Sequence, residues 1–207
     1  MTFKERDEKE IERINRLQRE RFDELVDLFD PPLPKGVPER LERIVAAARI
    51  KEGETVLDVG AGTGILMPLI RRYRPAAVYA CDLSEKMLRQ LQRNHPGAKT
   101  VLADVRDLRL PDASIDVTLI NACYPNIADK AGAFANLARM TAAGGRLVVS
   151  HPMGKRFIDM LKRNSPFPLD DFPEKNEAAD LFAPLGFAIE TFADEDELYL
   201  LVAAKRR

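Results

Sequence analysis

The feature that most restricts the fold of this chain is a glycine-rich turn directly after a short apolar segment. Residues 55–59 are mostly apolar or β-branched, and three glycines follow within residues 60–64. Glycine allows a tight turn and the close approach of a ligand, because it has no Cβ. The amides exposed at the start of a following helix favour an anionic group. A strand, a glycine turn and a helix in this order are typical of α/β folds that bind ligands at the strand ends.

Strand-like and helix-like segments alternate after this turn, which predicts a doubly wound, mostly parallel sheet with helices on both faces. The predicted parallel strands are residues 55–59, 77–81, 99–102, 115–120 and 146–150, with helices near 64–73, 84–94 and 129–140. The predicted helical insertion after the fifth strand holds helices near 153–163 and 174–184, and the last two strands are 187–193 and 197–203.

Composition argues against several classes of partner. The net charge of −1 is not the basic excess of a nucleic-acid binder. No apolar run approaches the roughly 20 residues of a membrane-spanning helix, and the charged N-terminus does not resemble a secretory signal. Cys81 and Cys123 make no disulfide framework, which favours a reduced, cytoplasmic setting. The histidines and cysteines have no metal-ligand spacing, and the oligomeric state is left open.

Acidic residues at the ends of the first two predicted strands indicate a nucleoside site. Asp58 lies beneath the glycine loop, where it suits an ammonium group better than a pyrophosphate. The dinucleotide pattern is not met, because Ile65 or Met67 stands where its third glycine belongs. Asp82 lies 18 residues beyond Gly64, where a carboxylate can accept both hydroxyls of a ribose.

The third predicted strand ends in a further carboxylate. Asp104 could accept the exocyclic amine of adenine, and Leu83 and Val105 could sandwich the purine ring. Each of these acids alone is more often a surface residue or a helix cap. Three of them at the ends of consecutive strands, after such a loop, favour the nucleoside site.

Four segments carry a resemblance to known proteins: residues 56–64 (VLDVGAGTG), 81–88 (CDLSEKML), 103–105 with 110–116 (ADV, LPDASID) and 143–150 (AGGRLVVS). They are similar to successive motifs of the class I S-adenosylmethionine-dependent methyltransferases. The resemblance covers about residues 38–150 and is greatest for the small-molecule branch, which includes quinone-biosynthesis methyltransferases.

The resemblance implies a Rossmann-like fold with an antiparallel seventh strand. It also implies S-adenosylmethionine as cofactor, S-adenosylhomocysteine as product, and transfer of the methyl group to an oxygen, nitrogen or carbon atom of a small molecule. The predicted cofactor-binding residues are Asp58, Gly60, Ala61, Gly62, Asp82, Leu83, Met87, Asp104, Val105 and Asn121.

The segment after the fourth strand departs from the family. The histidine pair that this branch often carries is replaced by Pro125 and Asn126. The spacing of Asn121 and Tyr124 is similar to the Asn-Pro-Pro-Tyr loop of amino-methylating enzymes, but both prolines are missing. Two alternatives therefore stand beside the enzyme: a non-catalytic protein that binds the cofactor as a sensor or partner subunit, and an aminopropyl transferase.

One candidate remains for catalysis and one for acceptor selection. His151 directly follows the fifth strand and is either a general base, with an ordinary pKa near about 6.5, or a helix-start residue. A long amphipathic helix is predicted at residues 4–29, ending in a proline-rich break at 30–36. The predicted division is a helical lid at 1–36 and a cofactor-binding domain at 37–207, with a substrate-side insertion at 151–186.

Overall fold

A seven-stranded sheet forms the centre of the molecule, for which a computed structural model describes residues 2–29 and 32–206. The strands are β1 (Thr55–Val59), β2 (Ala77–Asp82), β3 (Lys99–Leu102), β4 (Ile115–Asn121), β5 (Thr141–His151), β6 (Phe187–Glu195) and β7 (Leu198–Lys205). Their order is β3-β2-β1-β4-β5-β7-β6. Strands β1 to β5 pair in parallel, and β7 is antiparallel to both of its neighbours. The predicted mostly parallel sheet with an antiparallel seventh strand is confirmed.

The strand order reverses at β1, which has β2 on one side and β4 on the other. The register aligns the ends of these strands, with Val59 opposite Cys81 and Asp58 opposite Leu119. The loops that leave two neighbouring parallel strands diverge where the order reverses, and a ligand crevice opens there. The glycine turn after β1 lies at this point.

Helices cover both faces of the sheet. They are α1 (Glu8–Leu25), α2 (Val37–Ala47), α3 (Met67–Arg71), α4 (Glu85–Asn94), α5 (Lys130–Met140), α6 (Gly154–Lys162) and α7 (Lys175–Phe182). Successive strand residues point to opposite faces, so Leu57 belongs to the same buried cluster as Phe134 of α5, whereas Val56 belongs to the cluster that includes Ile44 of α2. None of the described helices is long and apolar enough to cross a membrane.

The element boundaries differ most from the predictions in three places. The first helix begins only at Glu8, where the Asp7 side chain caps it, and a short 3-10 turn follows it at Val26–Leu28. The helix after the glycine turn begins at Met67, because the preceding loop contains left-handed glycines. Strand β5 begins at Thr141, earlier than predicted, with an irregular register against β4. Within the proline-rich break, residues 32–36 are not helical, and residues 30 and 31 lie outside the described residues.

Candidate functional site

The glycine turn is fixed against β2 and depends on its glycines. Gly60, Gly62 and Gly64 have positive φ angles of 66°, 53° and 92°, a region that side chains with a Cβ rarely adopt. A Cβ on Gly60 would also overlap the Sγ of Cys123. The amides of residues 60 and 61 donate to the carbonyl of Cys81, at 2.8 and 3.1 Å. The turn therefore presents a backbone surface that a ligand can approach closely.

The carboxylate of Asp82 is held by two backbone amides. Its Oδ2 accepts from the amide of Gly62 at 2.9 Å, and its Oδ1 accepts from the amide of Ser84 at 2.9 Å. Burial raises the pKa of Asp82, although these amide hydrogen bonds oppose the change. An ionised carboxylate has about four acceptor positions, so each oxygen can still accept a hydroxyl from the cavity.

Asp58 is buried, and one of its carboxylate oxygens has no hydrogen-bond partner. Its side chain is 2% exposed, and its Oδ2 accepts no hydrogen bond. Burial, together with the charge of Asp82, raises the pKa of Asp58 to about 8. A buried carboxylate without a partner is unfavourable for folding, so this position suits a ligand that brings a positive charge or a donor.

Asp104 accepts one hydrogen bond from its own loop and one from the first helix. Its Oδ1 accepts from the amide of Arg106 at 3.0 Å, and its Oδ2 accepts from the Nδ2 of Asn15 at 2.6 Å. Burial raises the pKa of Asp104, although these two hydrogen bonds oppose the change. The neighbouring Val105 is buried.

A cavity of about 380 Å³ lies over these three carboxylates, within the range of about 300–1,000 Å³ for small-molecule sites. The structure brings all eleven predicted site residues to it: Asp58, Gly60, Ala61, Gly62, Asp82, Leu83, Met87, Asp104, Val105, Asn121 and His151. They come from the ends of β1 to β5, from the loops that follow and, for Met87, from the first turn of α4.

The first helix supplies lining residues that were not predicted individually. Asn15, Gln18 and Phe22 of α1 line the cavity, and the Nε2 of Gln18 donates to the carbonyl of Asn126 at 2.6 Å. A signal for them is present in the sequence, because residues 11, 14, 15 and 18 share one helix face and all four are buried. Polar side chains on the apolar face of an amphipathic helix indicate a polar partner beneath it.

The chain matches known methyltransferases. Residues 57–149 match the model of a methyltransferase domain. A demethylmenaquinone methyltransferase of Paenarthrobacter aurescens is 30% identical over 203 residues, which cover 89% of this chain and 79% of that protein. This chain belongs to the S-adenosylmethionine-dependent methyltransferases. The predicted class I family is confirmed, as are enzyme activity and S-adenosylmethionine as cofactor, and the non-catalytic alternative loses its support.

Two further comparisons differ in what they cover. A malonyl-[acyl-carrier protein] O-methyltransferase of Halorhodospira halophila is 34% identical over 139 residues, which cover 64% of this chain and 47% of that protein. This methyltransferase thus spans about half the length of that relative. The structure of magnesium protoporphyrin IX methyltransferase from Synechocystis with bound S-adenosylhomocysteine has a TM-score of 0.71 at 18% identity, covering 93% of this chain and 99% of that one. At this identity the likeness shows the fold.

The methyltransferase keeps His151 neutral at the cavity wall. The ring is 4% exposed, and its centroid lies 5.4 Å from that of Phe157. Burial lowers the pKa of His151 to about 4. Its Nδ1 accepts a hydrogen bond from the amide of Met153 at 3.1 Å, so the proton of the neutral ring is on Nε2. The general-base role stays a prediction. The lowered pKa and the occupied Nδ1 both favour a ring that donates a hydrogen bond from Nε2.

The two polar residues after β4 lie in different places. Asn121 lines the cavity, and its Oδ1 accepts from the Oγ of Ser150 at 3.1 Å. Tyr124 is not among the lining residues; it is buried with its ring stacked 5.4 Å from Phe172 and its ring centre 4.9 Å from the Nζ of Lys130. A loop that grips a target nitrogen with both residues does not form here.

The thiols at the end of β2 and after β4 are unreactive in this setting. Cys81 donates to the carbonyl of Ala103 at 3.3 Å, and Cys123 packs against Gly60. Burial and the nearby carboxylates raise the pKa of both thiols. Since the thiolate is the reactive form, we assign both cysteines a packing role.

Proposed function

We propose that this methyltransferase acts on an uncharged, apolar, ring-bearing small molecule. The observation that carries the proposal is the cavity lining outside the carboxylates. It contains Phe22, Phe29, Leu33, Met153 and Phe157, and no lysine or arginine is among the described lining residues. An anionic acceptor placed there would lose water without gaining a cationic partner, which is unfavourable.

We assign the three carboxylates to three parts of the cofactor. Asp58, whose Oδ2 has no partner, would take the ammonium group of the methionine moiety. Asp82 would accept the ribose hydroxyls, and Asp104 the exocyclic amine of adenine. Leu83 and Val105 would lie against the purine ring. The unpartnered oxygen of Asp58 is the strongest support, because a charge-assisted hydrogen bond would satisfy it.

The remaining predicted cofactor residues have supporting roles in this proposal. The positive φ angles of Gly60 and Gly62 bring the backbone next to the cofactor, with Ala61 between them. Met87 and Asn121 would contact the cofactor from the start of α4 and the end of β4. The sulfonium supplies an activated methyl group, so the chain's own residues mainly hold the acceptor in line with it and exclude water.

His151 is proposed to orient the acceptor. With Nδ1 occupied by a backbone amide, its Nε2 can donate to an acceptor oxygen. This hydrogen bond would hold the acceptor in line with the methyl group during transfer. A ring-bearing acceptor such as the one named for the demethylmenaquinone relative fits the uncharged, apolar lining better than the malonyl carrier named for the other relative.

The N-terminal segment is proposed to act as the lid, with residues 151–186 as the acceptor-selecting insertion. Arg6 makes a bidentate ion pair with Asp170 at 2.6 and 3.1 Å and also donates to the carbonyl of Ala128 at 2.7 Å. Lys130 donates to the same Asp170 at 2.6 Å. Burial alone would raise the pKa of Asp170, but Arg6 and Lys130 lower it. This cluster ties the first residues of the chain to the insertion.

Labelled methyl transfer from S-adenosylmethionine tests the acceptor class. We expect transfer to a demethylated naphthoquinol with a short alkyl chain and little transfer to a malonyl thioester at equal concentration. Preference for the malonyl thioester would overturn the proposal. Replacement of Phe157 by Lys adds the missing cation and should lower transfer to the naphthoquinol more than it lowers cofactor binding.

Two further proposals concern location and partners. The two free cysteines support a cytoplasmic setting, and the net charge of −1 supports the absence of a nucleic-acid partner. Fractionation of cells and a nucleic-acid binding assay at low salt test them.

A further inference from the structure

Asn15 of α1 is a buried polar side chain at the adenine end of the cavity. It is 8% exposed and lines the cavity together with Asp104 and Val105. Its Nδ2 donates to the Oδ2 of Asp104 at 2.6 Å.

The surroundings of Asn15 hold it in place. Ile11 and Ile14, on the same helix face, pack against Ala128 and Phe167. An asparagine on such an apolar face loses hydration on folding. This loss is compensated only where both the nitrogen and the oxygen of its amide find hydrogen-bond partners. Asp104 supplies the partner for the nitrogen.

The orientation of the amide follows from its partner. An ionised carboxylate only accepts hydrogen bonds, so the nitrogen of Asn15 faces Asp104 and the oxygen faces away from it. Among the described residues, Asp104 is the one hydrogen-bond partner of the Asn15 side chain. The amide oxygen is therefore free to accept from a ligand in the cavity.

We propose that Asn15 is a second adenine-recognising residue, which α1 places beside Asp104. The exocyclic amine of adenine offers two N–H groups, and the carboxylate of Asp104 and the free amide oxygen of Asn15 can accept one each. The lid helix then recognises the base of the cofactor that it covers. This inference rests on the proposed position of adenine at Asp104.

A base without the amine provides the test. S-inosylhomocysteine carries a carbonyl oxygen where S-adenosylhomocysteine carries the amine. This oxygen only accepts hydrogen bonds, so it cannot bind to the carboxylate of Asp104 or to the amide oxygen of Asn15, which also accept. Calorimetric titration of both compounds into the parent chain and its variants measures the preference. We expect the parent to prefer S-adenosylhomocysteine by at least about 30-fold, from two lost hydrogen bonds of about 1 kcal/mol or more each.

Asn15→Leu removes the acceptor and keeps the helix face apolar. We expect it to weaken S-adenosylhomocysteine binding about 5- to 15-fold, the scale of one hydrogen bond, and to change S-inosylhomocysteine binding less than about 2-fold. If Asn15 only occupies Asp104, its removal frees a carboxylate oxygen, and S-adenosylhomocysteine binding stays the same or strengthens. That result would overturn the inference.

Two further variants separate the possible failures. Gln18→Leu, one helical turn further along the same face, removes a lid contact to the carbonyl of Asn126 and should weaken both compounds equally. Asp104→Ala should remove most of the preference. An unchanged preference in Asp104→Ala would refute the position of adenine and with it the proposed site. Another result would refute only the role of Asn15. In that result Asp104→Ala loses the preference for S-adenosylhomocysteine over S-inosylhomocysteine, whereas both Asn15→Leu and Asn15→Ala keep it.

Discussion

Replacing Asp58 by Asn should stabilise the ligand-free protein at high pH and weaken cofactor binding. The pKa of this buried carboxyl is about 8 in the folded chain against an ordinary 3.8. Each pKa unit corresponds to about 1.4 kcal/mol, so ionisation of Asp58 destabilises the fold by at most about 6 kcal/mol. The penalty is absent below about pH 4, grows as the pH rises towards 8, and is constant above it.

Because Asn cannot ionise, the free energy of unfolding of Asp58→Asn should increase relative to that of the parent as the pH rises. We expect this advantage to grow by about 2–3 kcal/mol between pH 5 and pH 8.5, less than the upper limit because relaxation around a buried charge lowers its cost. The comparison between two pH values cancels any constant cost of burying the amide. Affinity for S-adenosylhomocysteine should fall about 10-fold or more through the lost charge-assisted hydrogen bond.

Urea unfolding at both pH values, followed by circular dichroism, measures the stability difference, and calorimetric titration measures the affinity. Asp180→Asn, at an exposed position on α7, is the matched control and should change neither quantity. If parent and Asp58→Asn respond identically to pH, Asp58 is not the ionising buried group. If the affinity is also unchanged, the ammonium group binds elsewhere.

Three further predictions concern binding, turnover and the lid. Asp82→Ala should weaken S-adenosylhomocysteine binding by about 1.5–3 kcal/mol, or roughly 10- to 150-fold; titration showing unchanged affinity in a folded variant would place the ribose elsewhere. His151→Asn, which keeps a donor, should retain turnover within about 10-fold, whereas His151→Leu should not; a loss of about 10²–10⁴-fold in the Asn variant would instead support general-base catalysis. Arg6→Met should cost about 1.5–3 kcal/mol of unfolding free energy, the scale of hydrogen bonds to a charged group, because the half-buried carboxylate of Asp170 keeps only Lys130 as a cationic partner. It should also speed hydrogen exchange in α1; unaltered exchange would show that the ion pair does not hold the lid.

The cofactor half of the site could be predicted because its residues are adjacent to predictable strands. Asp58, Asp82 and Asp104 each end or follow an apolar run, and parallel strands bring their carboxyl ends to one edge. The contacts of the lid could not be predicted in the same way. Asn15 meets Asp104 across 89 residues, and Arg6 meets Asp170 across 164. No local pattern encodes such pairs.

The acceptor side was predictable only in outline. The amphipathic pattern predicts that α1 has a buried face, but it does not determine which part of the sheet that face covers. His151 was predicted to follow the fifth strand and is instead the last residue of β5. Its protonation state could not be predicted, because it depends on the amide of Met153 and on the burial supplied by Phe157. These arise from the turn into α6, which periodicity places only approximately.

The central claim is that one cavity binds S-adenosylmethionine through three carboxylates at the ends of β1, β2 and β3. A crystal structure of the chain with S-adenosylhomocysteine tests it most directly. The account predicts the ammonium group within hydrogen-bond distance of Asp58, the ribose hydroxyls on Asp82, and the adenine amine on Asp104 beneath α1. A ligand bound in another orientation, with its ammonium group away from Asp58 and its ribose away from Asp82, would contradict it.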